Sequence, residues 1–212
     1  LEFTGRYMVL DASTVQSQVA PYDLVRKMRA SFFVLGPLLG RFGKARVSLP
    51  GGCAIGTRPV DIHLKGFEAL GAKLSIEEGY VVAEGPLTGT DFRLDFPSVG
   101  ATENLMMAAC RASGVTRLSN VAREPEIVEL AHFLNAMGAQ ISGAGTDLIT
   151  VLGVDELHGA EHTVGPDRIE AGTFLIAGVA THGDVTVRDV NAEHLTALLK
   201  KLSEAGADIE VV

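Results

Sequence analysis

Apolar positions along the chain fall into two helical patterns, and the pair of patterns repeats. One is apolar nearly all round, over residues 30–39, 105–110 and 173–180. Helices of that kind belong in an interior. The other has a single apolar face, clearest over residues 126–137, where Ile127, Leu130, Phe133 and Leu134 share a side. Each single-faced helix is expected to stop at glycine: Leu70-Gly71-Ala72-Lys73-Leu74, Met137-Gly138-Ala139-Gln140-Ile141 and Ala205-Gly206-Ala207-Asp208-Ile209 are three copies of one helix end, with the glycines 67 and 68 residues apart.

A second set of helix ends repeats in phase. Gly43, Gly114 and Gly183 each follow an all-apolar helix and precede a β-rich run, at 45–49, 116–119 and 185–188. The unit therefore reads helix, strand, short link, helix, strand, strand. Closing strand pairs are expected for 73–76 with 80–83 and for 140–142 with 148–152, and the third copy ends before its pair is complete. Buried helices surrounded by short strands predict an α/β fold of layered, pseudo-symmetric units. The opening residues read as the end of a strand pair (6–10) with no initiating methionine, so the chain reads as a fragment.

The copies differ at one place. From the first helix-end glycine to the second is 28 residues in the first unit, against 24 and 23 in the others, and the excess falls on residues 50–56. The surrounding string is Leu49-Pro50-Gly51-Gly52-Cys53-Ala54-Ile55-Gly56-Thr57-Arg58-Pro59-Val60-Asp61. Three glycines and two prolines in thirteen residues exclude a helix or a central strand. A loop that breaks internal symmetry is where function is expected on a rigid scaffold. It carries the thiol of Cys53 and, five residues on, the guanidinium of Arg58, a charge that favours thiolate and can grip phosphate or carboxylate bidentately.

Composition narrows the partners. Eighteen basic residues against 26 acidic ones give a formal charge of −8, which argues against nucleic acid or an anionic membrane surface while leaving room for a small anionic substrate at a local arginine cluster. Cys53 and Cys110 form no disulfide framework, which fits a reducing, cytoplasmic setting. The six histidines are scattered and suggest no metal centre.

Several further residues are candidates, each with a plain structural alternative. Asp61 could accept from a substrate hydroxyl or could cap a helix. Arg29, beside Lys27 at the start of the first all-apolar helix, opposes the helix dipole, which an anion nearby would explain, or it belongs to a solvated turn. Ser98-Val99-Gly100-Ala101-Thr102 opens the second such helix and would suit an anion, or Ser98 is an ordinary N-cap. Asp167-Arg168-Ile169-Glu170 holds the matching place in the third unit, as a hinge or an ion pair. Arg123-Glu124-Pro125-Glu126 reads as a helix entry with Pro125 near its first position. Gly143-Ala144-Gly145 lies between two strands rather than between a strand and a helix, and is no dinucleotide fingerprint.

The cysteine loop resembles the active-site loop of the UDP-N-acetylglucosamine 1-carboxyvinyltransferase (enolpyruvyl transferase) family, in the EPSP synthase superfamily. Met28-Arg29-Ala30-Ser31, Ser98-Val99-Gly100-Ala101-Thr102, Arg123-Glu124-Pro125-Glu126 and Pro166-Asp167-Arg168-Ile169-Glu170 agree with that family in order and spacing, from Pro21 onward. The resemblance implies an inside-out α/β barrel of βαβαββ units, with helices inside and mixed sheets outside. It implies transfer of enolpyruvyl from phosphoenolpyruvate to the 3′-hydroxyl of UDP-N-acetylglucosamine with release of phosphate, the first committed step of peptidoglycan synthesis. Cys53 would be the general acid toward phosphoenolpyruvate, able to form a phospholactoyl adduct and to be alkylated by fosfomycin. Arg58 would contact both substrates. Arg29, Pro59, Val60, Asp61, Ile62, Ser98, Val99 and Gly100 would line the UDP-sugar site. No cofactor is implied, because the arginines supply the charge stabilisation.

By the same resemblance, residues 1–20 close a truncated first unit, 21–164 form the domain with the cysteine loop, 165–168 are a hinge, and 169–212 are the first unit of a second domain. The family's N-terminal Lys-Asn pair and C-terminal aspartate and arginines lie outside these residues, so this piece alone is expected to be inactive. Phe96 stands where many members have lysine, and that contact is not carried over. The alternatives are a 3-phosphoshikimate 1-carboxyvinyltransferase, disfavoured by the inserted cysteine loop, a non-catalytic UDP-sugar-binding module of the same fold, and a cysteine hydrolase with His63 as base.

Overall fold

A computed structural model of the chain describes residues 2–49 and 60–211; residues 50–59 lie outside it, as do the side chains of residues 2–4 and Arg29. The chain divides into two compact units, Leu1–Ala160 and Glu161–Val212.

The larger unit begins with an antiparallel hairpin of β1 (Glu2–Thr4) and β2 (Tyr7–Val9), in line with the strand pattern read at 6–10. Two copies of one βαβαββ topology follow. The first contains β3 (Val19–Ala20), the short helix α1 (Tyr22–Val25), a 3₁₀ segment (Arg29–Val34), α2 (Leu35–Phe42), β4 (Lys44–Ser48), α3 (Asp61–Ala69), β5 (Lys73–Glu77) and β6 (Tyr80–Glu84). The second contains β7 (Asp91–Arg93), α4 (Val99–Ala109), β8 (Val115–Ser119), α5 (Pro125–Ala136), β9 (Gln140–Ser142) and β10 (Leu148–Leu152). Their sheets run in equivalent orders, β3-β4-β6-β5 and β7-β8-β10-β9. In each, the first pair is parallel and the other two are antiparallel. The opening strands β3 and β7 escape the sequence pattern because two or three residues are too few to show a period.

The single-faced helices end as their glycines demand. Gly71, Gly138 and Gly206 have φ of 90°, 99° and 97°, left-handed values that cost an L side chain about 1–2 kcal/mol. In each copy the residue after glycine donates back to the helix (Ala72 to Phe67, Ala139 to Leu134, Ala207 to Leu202) and the glycine donates one turn back (to Glu68, Asn135 and Ser203). This paired pattern satisfies the orphan carbonyls of the last turn.

The other in-phase glycines are not equivalent. Gly43 (φ 68°) is the C-cap of α2, but Gly114 sits in a turn beyond the Cys110 cap of α4. In the third copy the left-handed residue is His182 (φ 52°), with Gly183 donating to Gly178 one place later. The first all-apolar stretch is also not one helix. Pro37 lacks an N–H, so it is tolerated only in a first turn, and the α-helix restarts at Leu35 after a 3₁₀ segment and then runs on to Phe42.

Helix α4 is the centre of the unit. Seven of its eleven residues are buried, around all its sides, and it packs against α2, α3 and α5. Glycines make the approach close: a Cβ on Gly36 of α2 would lie 2.3 Å from the Asn104 carbonyl oxygen, and one on Gly66 of α3 would lie 2.3 Å from Leu105. Phe32, Leu35, Leu39, Phe67, Leu105, Met106 and Ile127 are fully buried there, each worth roughly 1.5–3 kcal/mol of transfer free energy. Strands β8 and β10 bury alternate residues against this helical interior and expose the others. Helices inside and sheets outside is the expected arrangement.

The smaller unit holds α6 (Arg168–Ala180), a 3₁₀ turn (Ala192–Leu195) and α7 (Thr196–Glu204). Two expectations are corrected here. The run 185–188 is not a strand, because no described strand pairs with it, and an unpaired edge has no ladder to hold it. Helix α6 is not buried all round: Ile169, Phe174 and Ile176 are 60, 56 and 48% exposed, since within this unit the 3₁₀ turn, α7 and Val185 cover only part of its surface. No helix of the described residues is long and apolar enough to cross a membrane.

Candidate functional site

Cys53, Arg58 and Pro59 lie outside the described residues. The other candidates fall at the starts of three elements: Arg29 is the first residue of the 3₁₀ segment, Val60 and Asp61 begin α3, and Ser98 and Val99 begin α4. These three elements meet in one partly buried cluster. The ring of Phe33, from the 3₁₀ segment, stacks on His63 of α3 with centroids 6.2 Å apart. A Cβ on Gly100 of α4 would meet the Phe33 ring at 2.7 Å and His63 Cε1 at 3.6 Å. Gly100 is therefore a packing requirement where these elements meet.

The chain entering α4 is shaped by its own side chains. Ser98 accepts from the amide of Ala101 at 3.3 Å, and its carbonyl takes both the Thr102 amide and the Thr102 hydroxyl, at 2.9 and 2.8 Å. The N-cap reading of Ser98 is thus correct. It leaves the amides of Val99 and Gly100 as first-turn donors with no intrahelical carbonyl to take them. Thr102 in turn accepts from the Ala122 amide at 3.1 Å, tying the start of α4 to the entry of α5. That entry has Pro125 at its first helical position, as expected.

At α3 the cap is Val60, not Asp61. Asp61 is the exposed first residue of the helix, where a carboxylate favours the dipole. Four residues on, Lys65 pairs with Asp95 at 2.7 Å, joining α3 to the segment before Ser98. The hydrogen bond to Asp95 raises the lysine's pKa, its charge adds to this, and that of Asp61 contributes further. Phe96 is 64% exposed. In the smaller unit, Asp167 caps α6 by accepting from Ile169 at 2.7 Å and Glu170 at 3.1 Å.

Beneath the surface runs a polar network that the residue patterns did not reveal. Asn104, completely buried on α4, accepts from the Gly36 amide at 2.8 Å through Oδ1. Its Nδ2 donates to the Phe32 carbonyl at 3.3 Å and lies 3.2 Å from Nδ1 of His63, itself 3% exposed. Sequence showed His63 only as the histidine nearest Cys53; buried between Phe32, Phe33 and Asn104, it is ill-placed as the base of a cysteine hydrolase. A mid-helix asparagine amid apolar neighbours was the available signal for Asn104.

One more carboxyl stands out. Burial pushes the pKa of Glu103, on α4, up to about 7, with the charges of Glu126 and Glu124 adding to the effect. Cys110 is inert by comparison: burial pushes its thiol up to about 12, and its Sγ donates to the Met106 carbonyl. His158 and His162 are four residues apart, a ligand spacing only in a helix, and this stretch is not helical. Among the described residues no group of three or more His, Cys, Asp or Glu side chains is arranged to hold a metal ion.

The comparisons agree with the architecture. The profile of the EPSP synthase (3-phosphoshikimate 1-carboxyvinyltransferase) family matches residues 4–212. UDP-N-acetylglucosamine 1-carboxyvinyltransferase 2 of Carboxydothermus hydrogenoformans is 61% identical over 208 residues, covering 98% of this chain and 50% of that protein. UDP-N-acetylglucosamine 1-carboxyvinyltransferase 1 of Staphylococcus aureus is 56% identical over 205 residues, covering 96% and 49%. The chain thus spans about half the length of the curated relatives it matches. Among solved structures, the enolpyruvyl transferase NikO from Streptomyces tendae superposes with a TM-score of 0.77 at 22% identity, covering 95% of this chain and 49% of that one. An EPSP synthase from Acinetobacter baumannii does so with a TM-score of 0.61 at 23% identity, covering 84% and 41%. Both share the fold. Helices inside, sheets outside, a doubled βαβαββ topology and a profile match over nearly every residue lead to one assignment: the chain belongs to the EPSP synthase (3-phosphoshikimate 1-carboxyvinyltransferase) family.

Proposed function

We propose that this chain is the cysteine-bearing part of an enzyme that transfers enolpyruvyl from phosphoenolpyruvate to the 3′-hydroxyl of UDP-N-acetylglucosamine, releasing phosphate. The observation that carries the reading is the 56–61% identity, over 96–98% of the chain, to proteins named for that transfer. The meeting of the 3₁₀ segment, α3 and α4 at Phe33, His63 and Gly100 supports it, because the proposed substrate residues lie on those same three elements.

In the proposed reaction the Cys53 thiol gives its proton to the methylene carbon of phosphoenolpyruvate. The sugar 3′-oxygen bonds to the adjacent carbon and passes its own proton to a base. The bond from that carbon to the phosphate oxygen then breaks, phosphate leaves, and a proton from the new methyl group passes to the Cys53 thiolate, restoring both the double bond and the thiol. A thiol suits the first step because its ordinary pKa, about 8.5, keeps it mostly protonated near neutrality. Arg58 balances charge on phosphoenolpyruvate and contacts the nucleotide sugar. Pro59, Val60, Asp61 and Ile62 on one side, and Ser98 with the Val99 and Gly100 amides on the other, line the UDP-sugar. Arg29 completes that lining, and residues 165–168 serve as the hinge to the second domain.

The test is phosphate release from phosphoenolpyruvate by the full-length protein, with UDP-N-acetylglucosamine or with shikimate 3-phosphate, in wild type and Cys53→Ala. Release that needs the nucleotide sugar and collapses in Cys53→Ala is expected. Release with shikimate 3-phosphate alone, or undiminished release in Cys53→Ala, would refute the reading.

A further inference from the structure

The Asn104 amide can point only one way. Gly36 donates to its Oδ1, so its Nδ2 must be the atom that faces both the Phe32 carbonyl and the His63 ring. An amide nitrogen has protons to give and nothing to accept with. The ring atom it meets at 3.2 Å, Nδ1 of His63, must therefore be the acceptor. His63 is thereby held as the neutral tautomer with its proton on Nε2; a proton on Nδ1 would set donor against donor in a buried site.

This one network reaches every element that starts at the proposed substrate site. Asn104 belongs to α4, Gly36 to α2, Phe32 to the 3₁₀ segment that begins at Arg29, and His63 to α3, two residues beyond Asp61. Phe32 packs edge-on to the His63 ring with centroids 5.4 Å apart, and Phe33 stacks on it while also closing on Gly100. No apolar side chain at 63 could hold the α4 asparagine in this way, because the Asn104 amide would keep an unanswered buried donor.

We propose that His63 is a positioning residue for the nucleotide-sugar end of the site. Through Asn104 it ties the start of α3, with Asp61 and Ile62, to α4, the helix whose first turn carries Ser98, Val99 and Gly100. The assignment of those residues to the nucleotide sugar rests on the function proposed above. The tautomer and the network rest on geometry alone.

The test uses the full-length protein with His63→Phe, which keeps a ring against Phe33 but loses the acceptor, and His63→Gln, whose side-chain carbonyl can still accept from Asn104. His63→Phe is expected to raise KM for UDP-N-acetylglucosamine about tenfold, the scale of one lost buried hydrogen bond, with kcat and KM for phosphoenolpyruvate within about twofold of wild type. His63→Gln should recover most of that loss. In the wild type, ¹⁵N spectra at pH 7 should show Nδ1 of His63 unprotonated and Nε2 protonated, an observation that stands even if His63→Phe fails to fold. Protonated Nδ1, an unshifted KM in His63→Phe, or equal losses for both substrates would overturn the inference while leaving the proposed function intact. A wild type with no turnover on the nucleotide sugar would overturn both.

Discussion

Replacing Glu103 with glutamine should make this protein more stable at alkaline pH. Burial on α4 holds the Glu103 carboxyl at about 7 against an ordinary 4.5, with Glu126 and Glu124 opposing its ionisation. The folded chain therefore binds this proton more tightly than the unfolded chain does. Between 4.5 and 7 the native state holds more protons, so stability falls as pH rises through that window and levels off above it. At 1.36 kcal/mol per pK unit the full difference would be roughly 3 kcal/mol, and partial solvent screening of a half-buried carboxyl reduces this to about 1–2 kcal/mol. Glutamine has nearly the same shape and no charge to desolvate. Urea unfolding followed by circular dichroism, at pH 4.5 and pH 8.5, should give Glu103→Gln near parity with wild type at the lower pH and an advantage of about 1–2 kcal/mol at the higher one. An equal gap at both pH values, or a variant less stable than wild type at pH 8.5, would refute the assignment of this carboxyl as destabilised by burial.

Gly36→Ala should destabilise the larger unit by about 1–3 kcal/mol, because its Cβ would meet backbone that cannot swing aside, the Asn104 carbonyl oxygen at 2.3 Å. A melting temperature equal to wild type would show that α2 and α4 are free to separate. Cys110 should stay unmodified by iodoacetamide at pH 8 in the folded protein and become labelled in urea, since its thiol is completely buried and pushed up to about 12. Peptide mapping by mass spectrometry reads this directly, and native labelling of Cys110 would contradict its placement.

Short-range chemistry accounts for what was legible from residues alone. A glycine at C′ needs only its own φ and two carbonyls a turn behind, so Gly71, Gly138 and Gly206 announced their helix ends wherever they stood. Strand pairs closed by tight turns, such as β9 with β10, are likewise local. The same periodic signals made the repeat countable, and the repeat pointed to the excess residues of the cysteine loop. Ser98 and Pro125 took the cap and entry positions their side chains favour.

What depends on distant partners could not be read that way. The 3₁₀ segment before Pro37, the sheet orders, and the exposure of α6 follow from which neighbours pack on each element. The run 185–188 has the composition of a strand, but a strand exists only against another. The network of Gly36, Asn104 and His63 joins groups 68 and 41 residues apart, each unremarkable in its own stretch of chain. Local preference chose the elements because it is set within a turn or two. The buried polar contacts that join α2, α3 and α4 required the assembled core, where an unpaired donor is costly enough to dictate a tautomer.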